Sequence, residues 1–319
     1  MNINSPKVSV ILPIYNQEKF LQKALDSLSG QTLTDTEYIC VNDGSTDNSL
    51  RIMNEHAKKD PRFKIINQPN LGTGRTRNNG IKHATGEYIA FLDPDDWFEP
   101  EALSSLYKRA NEQNCDMLVF DYNVVDEAGN LIKTRSMAEK TKSVSTLTDG
   151  AIFNWRDIQG RIFGGIGLIS CNKLYRREFI NAHNLHFANC SFAEDNPFVL
   201  GSTLYAQRIG YSATPYYNYR SHNNSAVHTV NDRNLCIFKA FDALKQILRE
   251  CGLLEELSNE FDTYVVKRCN TAIKRVESKD TFEKVRHQRL SIRQNQIVDN
   301  LRETGPTLLS ILDGLKLKK

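Results

Sequence analysis

A chain of 319 residues with 41 Lys and Arg against 38 Asp and Glu carries a net charge of +3, too small to recruit nucleic acid, and has room for one sizeable core or a domain with an appended module. Its seven cysteines include no CxxC pair, which argues against a disulfide frame or zinc site and for the reduced thiols of a cytoplasm. No apolar run is long enough to cross a bilayer and the polar first seven residues carry no secretory pattern, so a cytoplasmic location with at most peripheral membrane contact is expected.

The first 120 residues alternate short apolar runs with amphipathic stretches. Val8–Ile14 reads as a buried strand, and Phe20, Leu21, Ala24, Leu25 and Leu28 recur at helical spacing behind it. Residues 38–41 read as a second strand ending in Asn42-Asp43-Gly44-Ser45, after which Thr46 or Asp47 is placed to cap a helix carrying Leu50, Ile52, Met53 and Ala57. A third strand over 63–66, a helix over 76–84, a fourth strand over 88–92, a helix over 100–114 and a strand over 117–120 follow. This alternation predicts an α/β fold: a mostly parallel, Rossmann-like sheet with helices on both faces. Residues 121–167 are polar and irregular, as a loop or insertion would be. Order returns at 169–175; residues 193–197 open a short apolar helix to Tyr205, and strands are expected at 209–211 and 216–219. From Asn231 the pattern turns helical, with Leu235, Phe238, Phe241, Leu244, Ile247 and Leu248 on one face.

The expected organisation is therefore an α/β domain over 1–230, in halves 1–121 and 122–230, and a helical module over 231–319. Residues 262–319 hold 13 Lys and Arg against 7 acids, more than the whole net charge. Their end interleaves Leu308, Leu309, Ile311, Leu312, Leu315 and Leu317 with Lys316, Lys318 and Lys319. Packing on its own domain or on a second copy in a homodimer is the commoner use of such a segment, and peripheral contact with an anionic membrane is the alternative.

In Phe91-Leu92-Asp93-Pro94-Asp95-Asp96-Trp97 an apolar strand ends abruptly in three carboxylates. Burying ionised carboxylates is costly without a cation, which points to a divalent ion; alternation along an extended chain puts Asp93 and Asp95 on one face, where they could share it. The plain alternative is an acidic turn capping the next helix. In open α/β sheets ligands sit at the carboxyl ends of strands, and here those ends read Pro13-Ile14-Tyr15-Asn16, Asn42-Asp43-Gly44-Ser45 and Asp93-Pro94-Asp95-Asp96. A dinucleotide fold needs GxGxxG after the first strand, yet Tyr15-Asn16-Gln17-Glu18 stands there; no GxxxxGK[ST] loop exists either.

Residues 13–32, 41–47 (VNDGSTD), 70–80 (NLGTGRTRNNG), 86–97 (GEYIAFLDPDDW) and Glu194-Asp195 together resemble the family 2 glycosyltransferases, which are inverting enzymes of the GT-A fold using nucleotide-diphosphate sugars. The resemblance is strongest over 8–121, weaker over 170–225 and absent beyond about Asn231. It implies transfer of a sugar, most simply from a UDP-sugar, to a hydroxyl of a glycan or lipid-linked glycan in bacterial cell-surface polysaccharide synthesis, with Mn²⁺ or Mg²⁺. Donor-binding residues implied are Pro13, Tyr15, Asn16, Glu18, Asp43, Arg75, Arg77, Asn78, Asp93, Asp95 and Arg220. Asp43 would accept from the base with Tyr15 stacking nearby. Arg75, Arg77 and Asn78 either face the diphosphate or hold the acidic residues in place. Asp93 and Asp95 match the DxD-type metal element, and His222 stands where relatives often carry a second basic residue, as a phosphate or metal contact. Glu194-Asp195 matches the catalytic ED element, with Asp195 the general base. A protein that binds nucleotide without catalysis is one alternative. A sugar-phosphate nucleotidyltransferase is another, although its glycine-rich loop should follow the first strand.

Overall fold

The computed structural model describes residues 5–142, 147–190, 193–222 and 237–273. The expected basic end at 308–319 and residues 223–225 of the His222 loop lie outside these.

The core of the sheet is built as the apolar runs dictate. Strand β1 (Val8–Ile14) is buried along its whole length and pairs in parallel with β2 (Thr36–Asp43) on one side and β4 (Tyr88–Phe91) on the other. β3 (Phe63–Gln68) adds in parallel to β2. Helix α1 (Leu21–Ser29) buries Leu21, Ala24, Leu25 and Leu28, the spacing of one helical face. Helix α2 (Ser49–Lys59) follows β2 and buries Met53 and His56.

Helix α3 (Thr73–His83) has hardly any apolar face; it buries Gly74, Thr76, Arg77 and Gly80. A Cβ on Gly80 would lie 2.3 Å from Ile11 Cγ2, and one on Gly74 would lie 2.4 Å from the Ala188 carbonyl oxygen. Each glycine costs the helix about 1 kcal/mol of propensity. What they permit is close approach, and that carries the Arg77 side chain under the carboxyl ends of the strands.

The second half of the sheet is mixed. The strand order is β3-β2-β1-β4-β9-β6-β10-β5, with β7 (Leu131–Arg135) on β6 and β8 (Ile152–Phe153) on β10. β9 (Lys173–Arg176) runs antiparallel to both β4 and β6 (Met117–Val125), whereas β10 (Ile209–Arg220) is parallel to β6. The mostly parallel sheet expected from the sequence thus describes the first half. The strand expected at 117–120 continues to Val125 and turns back through β7, so part of the anticipated loop is a hairpin. β7 is exposed at every residue, so it has no buried face to mark it as a strand in the sequence. β10 is one strand with an irregularity between Ser212 and Tyr217 where two were expected. The helix expected over 100–114 is α4 (Ala102–Glu112), and β5 (Trp97–Phe98) is a two-residue strand on β10. Short helices α5 (Met137–Thr141) and α6 (Arg177–Ala182) flank the connection to and from β9.

Helix α7 (Asp195–Tyr205) is buried from Asn196 to Leu204, as a core helix is. Helices α8 (Ile237–Glu250) and α9 (Ser258–Ile273) complete the described chain. Two compact units divide it, and α8 up to Ile247 groups with the sheet. In α8, Ile237, Ala240, Phe241, Leu244 and Leu248 are buried; Phe241, Leu244 and Leu248 belong to the face expected from the sequence, whereas Phe238 and Ile247 of that face are only half-buried and Leu235 lies outside the described residues. Ala240 packs with Ala188 and Cys190, behind the loop that leads to α7.

Candidate active site

Because β2, β1 and β4 are parallel neighbours, their carboxyl ends share one rim, and the three singled-out segments come together there. The loops after β1 and β2 are knitted directly. Asn16 Oδ1 accepts from Thr46 N at 2.8 Å and Asn16 N donates to Ser45 Oγ at 3.1 Å. Glu18 N donates to Asp47 Oδ2 at 3.0 Å, and Glu18 Oε2 accepts from Asn48 N at 3.0 Å. Asn16 adopts φ 51°, a left-handed conformation asparagine tolerates. Asn16 and Glu18, expected to touch a donor, are here the fasteners of the rim, and Asp47 serves both the loop, through Oδ2, and the start of α2, where its Oδ1 accepts from Ser49 N at 2.9 Å as the expected cap would. Pro13 is buried within β1 opposite Val41. Tyr15, next along, is 45% exposed.

Asp43 ends β2 nearly buried. Its Oδ1 accepts from Gln68 Nε2 at 2.7 Å and Leu71 N at 2.8 Å, and its Oδ2 from Gly72 N at 2.9 Å. These donors pin the turn ahead of α3 and leave about one of a carboxylate's four acceptor positions.

The acidic turn departs from the extended geometry expected of it. Asp96 N donates to the Asp93 carbonyl at 3.0 Å, closing a β-turn with Pro94 at its second position, so Asp93 and Asp95 do not simply alternate along a strand. Asp96 does not cap the following helix. It is 1% exposed, accepts from Tyr217 Oη and, at 2.7 Å, from Arg220 N, and so staples the turn to β10. Burial and the charges of Asp95 and Asp93 push its carboxyl well above the usual range.

Arg77 is the hub. Its Nη2 donates to Asp93 Oδ1 at 2.7 Å, and its Nη1 to Asp195 Oδ1 at 2.6 Å and Glu194 Oε1 at 3.2 Å. Burial opposes its charge, but Asp195 and Asp93 outweigh that and hold the guanidinium firmly protonated. Of the two roles open to Arg77, the structure assigns it the holding of acidic residues. Asn78 is likewise engaged in scaffolding: Nδ2 donates to the Phe187 carbonyl at 2.9 Å and Oδ1 accepts from Phe187 N at 2.8 Å. Each end of its amide is thereby engaged with the Phe187 backbone. Arg75 is exposed and makes no ion pair among the described residues.

Asp195 opens α7, reached through Ala193 at φ 60°, a left-handed conformation strained for alanine. Its carboxylate does not cap the helix. Burial raises its pKa together with Asp93's charge, against which Arg77 and Ser170 act. Burial and Asp195's charge push Glu194 up to about 7, opposed by Arg77.

Across the turn, His222 Nε2 lies 2.9 Å from Asp95 Oδ2, its ring 4.9 Å from that of Phe20. Arg220 Nε donates to the Asp95 carbonyl at 2.8 Å and Nη1 to the Glu127 carbonyl at 2.6 Å, so it braces the turn. Burial and Asp93's charge raise the Asp95 carboxyl, with His222 acting in the opposite direction. A half-buried acid disfavoured in its charged form beside an imidazole nitrogen is a donor pair suited to a divalent cation. Among the described residues no set of three or more His, Cys, Asp or Glu converges as a complete cage. Asp93, expected to share the ion, has Oδ1 tied to Arg77.

A family model described as glycosyl transferase family 2 matches residues 9–183. The chain belongs to that family. This glycosyltransferase is 32% identical to the putative glycosyltransferase EpsH of Bacillus subtilis (strain 168), over 95% of its own length and 88% of that protein's. It is also 32% identical to a poly(ribitol-phosphate) beta-glucosyltransferase of Bacillus spizizenii, over 67% of its length and 32% of the relative's. Its fold matches S. aureus TarS residues 1–349, solved in complex with UDP-GlcNAc, with a TM-score of 0.62 at 22% identity over 94% of this chain and 93% of that one. The GT-A fold expected from the resemblance is therefore the fold of this enzyme, and the nucleotidyltransferase alternative falls away.

Sequence reasoning missed Ser170, Lys173 and Glu37. Only Lys173 carried a signal, a charge inside the otherwise uncharged run 169–175. No helix among the described residues is long and apolar enough to cross a membrane.

Proposed function

We propose that this glycosyltransferase moves a sugar from a nucleotide-diphosphate sugar, a UDP-sugar first, to a hydroxyl of a glycan or lipid-linked glycan in cell-surface polysaccharide synthesis, with inversion at the anomeric carbon. The observation that carries this reading is the Arg77 hub, which joins the acid of the strand-end turn, Asp93, to the acid at the head of α7, Asp195. Donor and acceptor chemistry need such a pair of neighbouring functions on one rigid support.

In this reading Asp195 takes the proton from the acceptor hydroxyl as that oxygen attacks the anomeric carbon; the bond to the diphosphate oxygen breaks, and the nucleoside diphosphate leaves. Exposed Tyr15 offers a stacking face for the base, and the open acceptor position on Asp43 suits a ring N–H such as that of uracil. Arg75, exposed at the start of α3, is the cation available to the diphosphate. Asp95 and His222, with Asp93 adjacent, would hold Mn²⁺ or Mg²⁺, whose chemistry is to neutralise charge on the departing diphosphate. An imidazole ligand suits Mn²⁺ better than Mg²⁺. The two-ligand protein share is typical of ions that also bind substrate phosphates. The TarS complex with UDP-GlcNAc supports the donor class, and the poly(ribitol-phosphate) glucosyltransferase supports a polymeric acceptor.

Calorimetric titration with UDP, GDP, CDP and dTDP, with and without Mn²⁺, tests it. UDP binding that collapses without metal, and in Asp95→Ala, is the expected result. Preference for another nucleotide overturns the donor class, and metal-independent binding overturns the ion site.

A further inference from the structure

The Asp195 carboxylate is gripped from two sides. Arg77 takes Oδ1 at 2.6 Å; on the other side Ser170 donates both its backbone N–H, at 3.0 Å, and its Oγ, at 3.1 Å, to Oδ2. Ser170 is fully buried, 25 residues before Asp195 in the chain. An aspartate carboxylate is free to rotate broadly about its last torsion, and donors on both oxygens fix that plane. Of roughly four acceptor positions, two on Oδ2 and one on Oδ1 are filled, so the position left for an incoming proton is on Oδ1, beside Arg77.

What holds Ser170 is an unusual lysine. Lys173, on β9, is fully buried and makes no ion pair among the described residues. Its Nζ donates to the Ile169 carbonyl at 2.7 Å, the Gly167 carbonyl at 3.2 Å and Asn172 Oδ1 at 2.8 Å. Asn172 Nδ2 in turn donates to the Phe120 carbonyl at 2.8 Å, which ties the group to β6. Burial, with Lys140's charge, lowers this ammonium to about 7. An ammonium taken out of water must be answered by acceptors, and the carbonyls just ahead of Ser170 answer it, wrapping that loop around the lysine.

We infer that Ser170, on a loop braced by Lys173, is a positioning residue that orients the Asp195 carboxylate for proton transfer, a role that rests on reading Asp195 as the general base. Ser170 touches no reacting atom; it acts through Asp195. A group acting through another loses its effect once that other is disabled.

The test is a double-mutant cycle on the full chain, reading UDP release from UDP-GlcNAc with Mn²⁺ and UDP affinity by calorimetry. Ser170→Ala removes the Oγ donor and leaves the backbone N–H on Oδ2, so it is expected to lower kcat about 3- to 10-fold, with donor KM and UDP affinity within twofold of the parent. Ser170→Ala combined with Asp195→Asn should be no slower than Asp195→Asn alone. Lys173→Met should reproduce Ser170→Ala if it folds; if it does not, the serine variant decides by itself. An unchanged kcat in Ser170→Ala, or losses that multiply in the double variant, overturns the inference. If Asp195→Asn instead turns over at the parent rate, the base reading itself is wrong and this inference falls with it.

Discussion

Arg77 and Asp195 meet at 2.6 Å, Nη1 to Oδ1, and the same guanidinium reaches Asp93 with its other nitrogen at 2.7 Å. Residues far apart in the chain are thereby held on one planar fork. The fork matters as much as the charge, because an ammonium cannot span two carboxylates in fixed directions.

Removing it should be severe. Arg77→Ala leaves Asp93, Glu194 and Asp195 clustered without their cation, which should cost about 3–5 kcal/mol of stability and abolish turnover. Arg77→Lys should recover much of the stability and little of the activity. Denaturant melts paired with UDP-release assays check both. Full activity in Arg77→Lys would show that charge alone suffices.

Asp195→Asn should keep UDP affinity and lower turnover about 10²- to 10⁴-fold, the usual worth of a general base. The amide is nearly isosteric, so the Ser170 donors keep an oxygen to bind. Calorimetry and single-turnover kinetics on one preparation separate the two effects. Loss of UDP binding in step with turnover would place Asp195 in the donor site instead.

The rim was legible in the sequence because its cues are local. An apolar run of strand length ends in Tyr15, in Asp43-Gly44 or in Asp93-Pro94, and a parallel sheet puts such ends on one side. The ED pair was legible only through resemblance. What the residues do to one another was less visible. Asn78, read as a donor contact, grips the Phe187 backbone, 109 residues on, and Ser170, in the segment 169–175 whose pattern marked returning order and nothing more, reaches Asp195 25 residues on. These are contacts between distant segments, and no local periodicity encodes them. The β7 hairpin escaped for the opposite reason, since a strand exposed at all five residues has no inward face to write a period-two pattern.

Asn78 gives a direct comparison of the two readings. As a scaffold residue, Asn78→Ala should lose about 1–3 kcal/mol by orphaning the Phe187 N–H and carbonyl, while UDP affinity in the folded protein stays near the parent value. As a donor contact it would do the reverse. Thermal melts and UDP titration tell them apart.

Glu37 makes a pH prediction away from the site. It is 2% exposed in β2 and accepts from Ser9 Oγ at 2.5 Å, Thr85 N at 2.6 Å and Lys64 Nζ at 2.5 Å. Burial alone would raise its pKa, yet Lys64, Ser9 and Thr85 outweigh burial and lower it. A lowered folded value means that the unfolded chain binds the proton first. The stabilisation is therefore complete above the ordinary glutamate pKa of about 4.3 and fades as pH falls through the folded value. Glu37→Gln should cost about 1–3 kcal/mol at pH 7 and flatten that acid limb. Equal acid sensitivity in parent and variant would remove Glu37 from the account.

Tyr15 tests the donor side with the least structural collateral. Its ring is 45% exposed at the end of β1, and no hydrogen bond ties it to the rim among the described residues, so its removal should leave the melting temperature unchanged. If the ring stacks on the base, Tyr15→Ala should weaken UDP binding about tenfold or more, since base–aromatic stacking is worth about 1–3 kcal/mol. Tyr15→Phe should bind like the parent, because stacking uses the ring and not the hydroxyl. Should Tyr15→Phe lose as much as Tyr15→Ala, the hydroxyl is making a polar contact and the stacking role is wrong; should neither lose affinity, the base lies elsewhere on the rim. Either result redirects the search along the same strand ends, because Asp43 and the acidic turn are fixed by contacts that do not involve this ring.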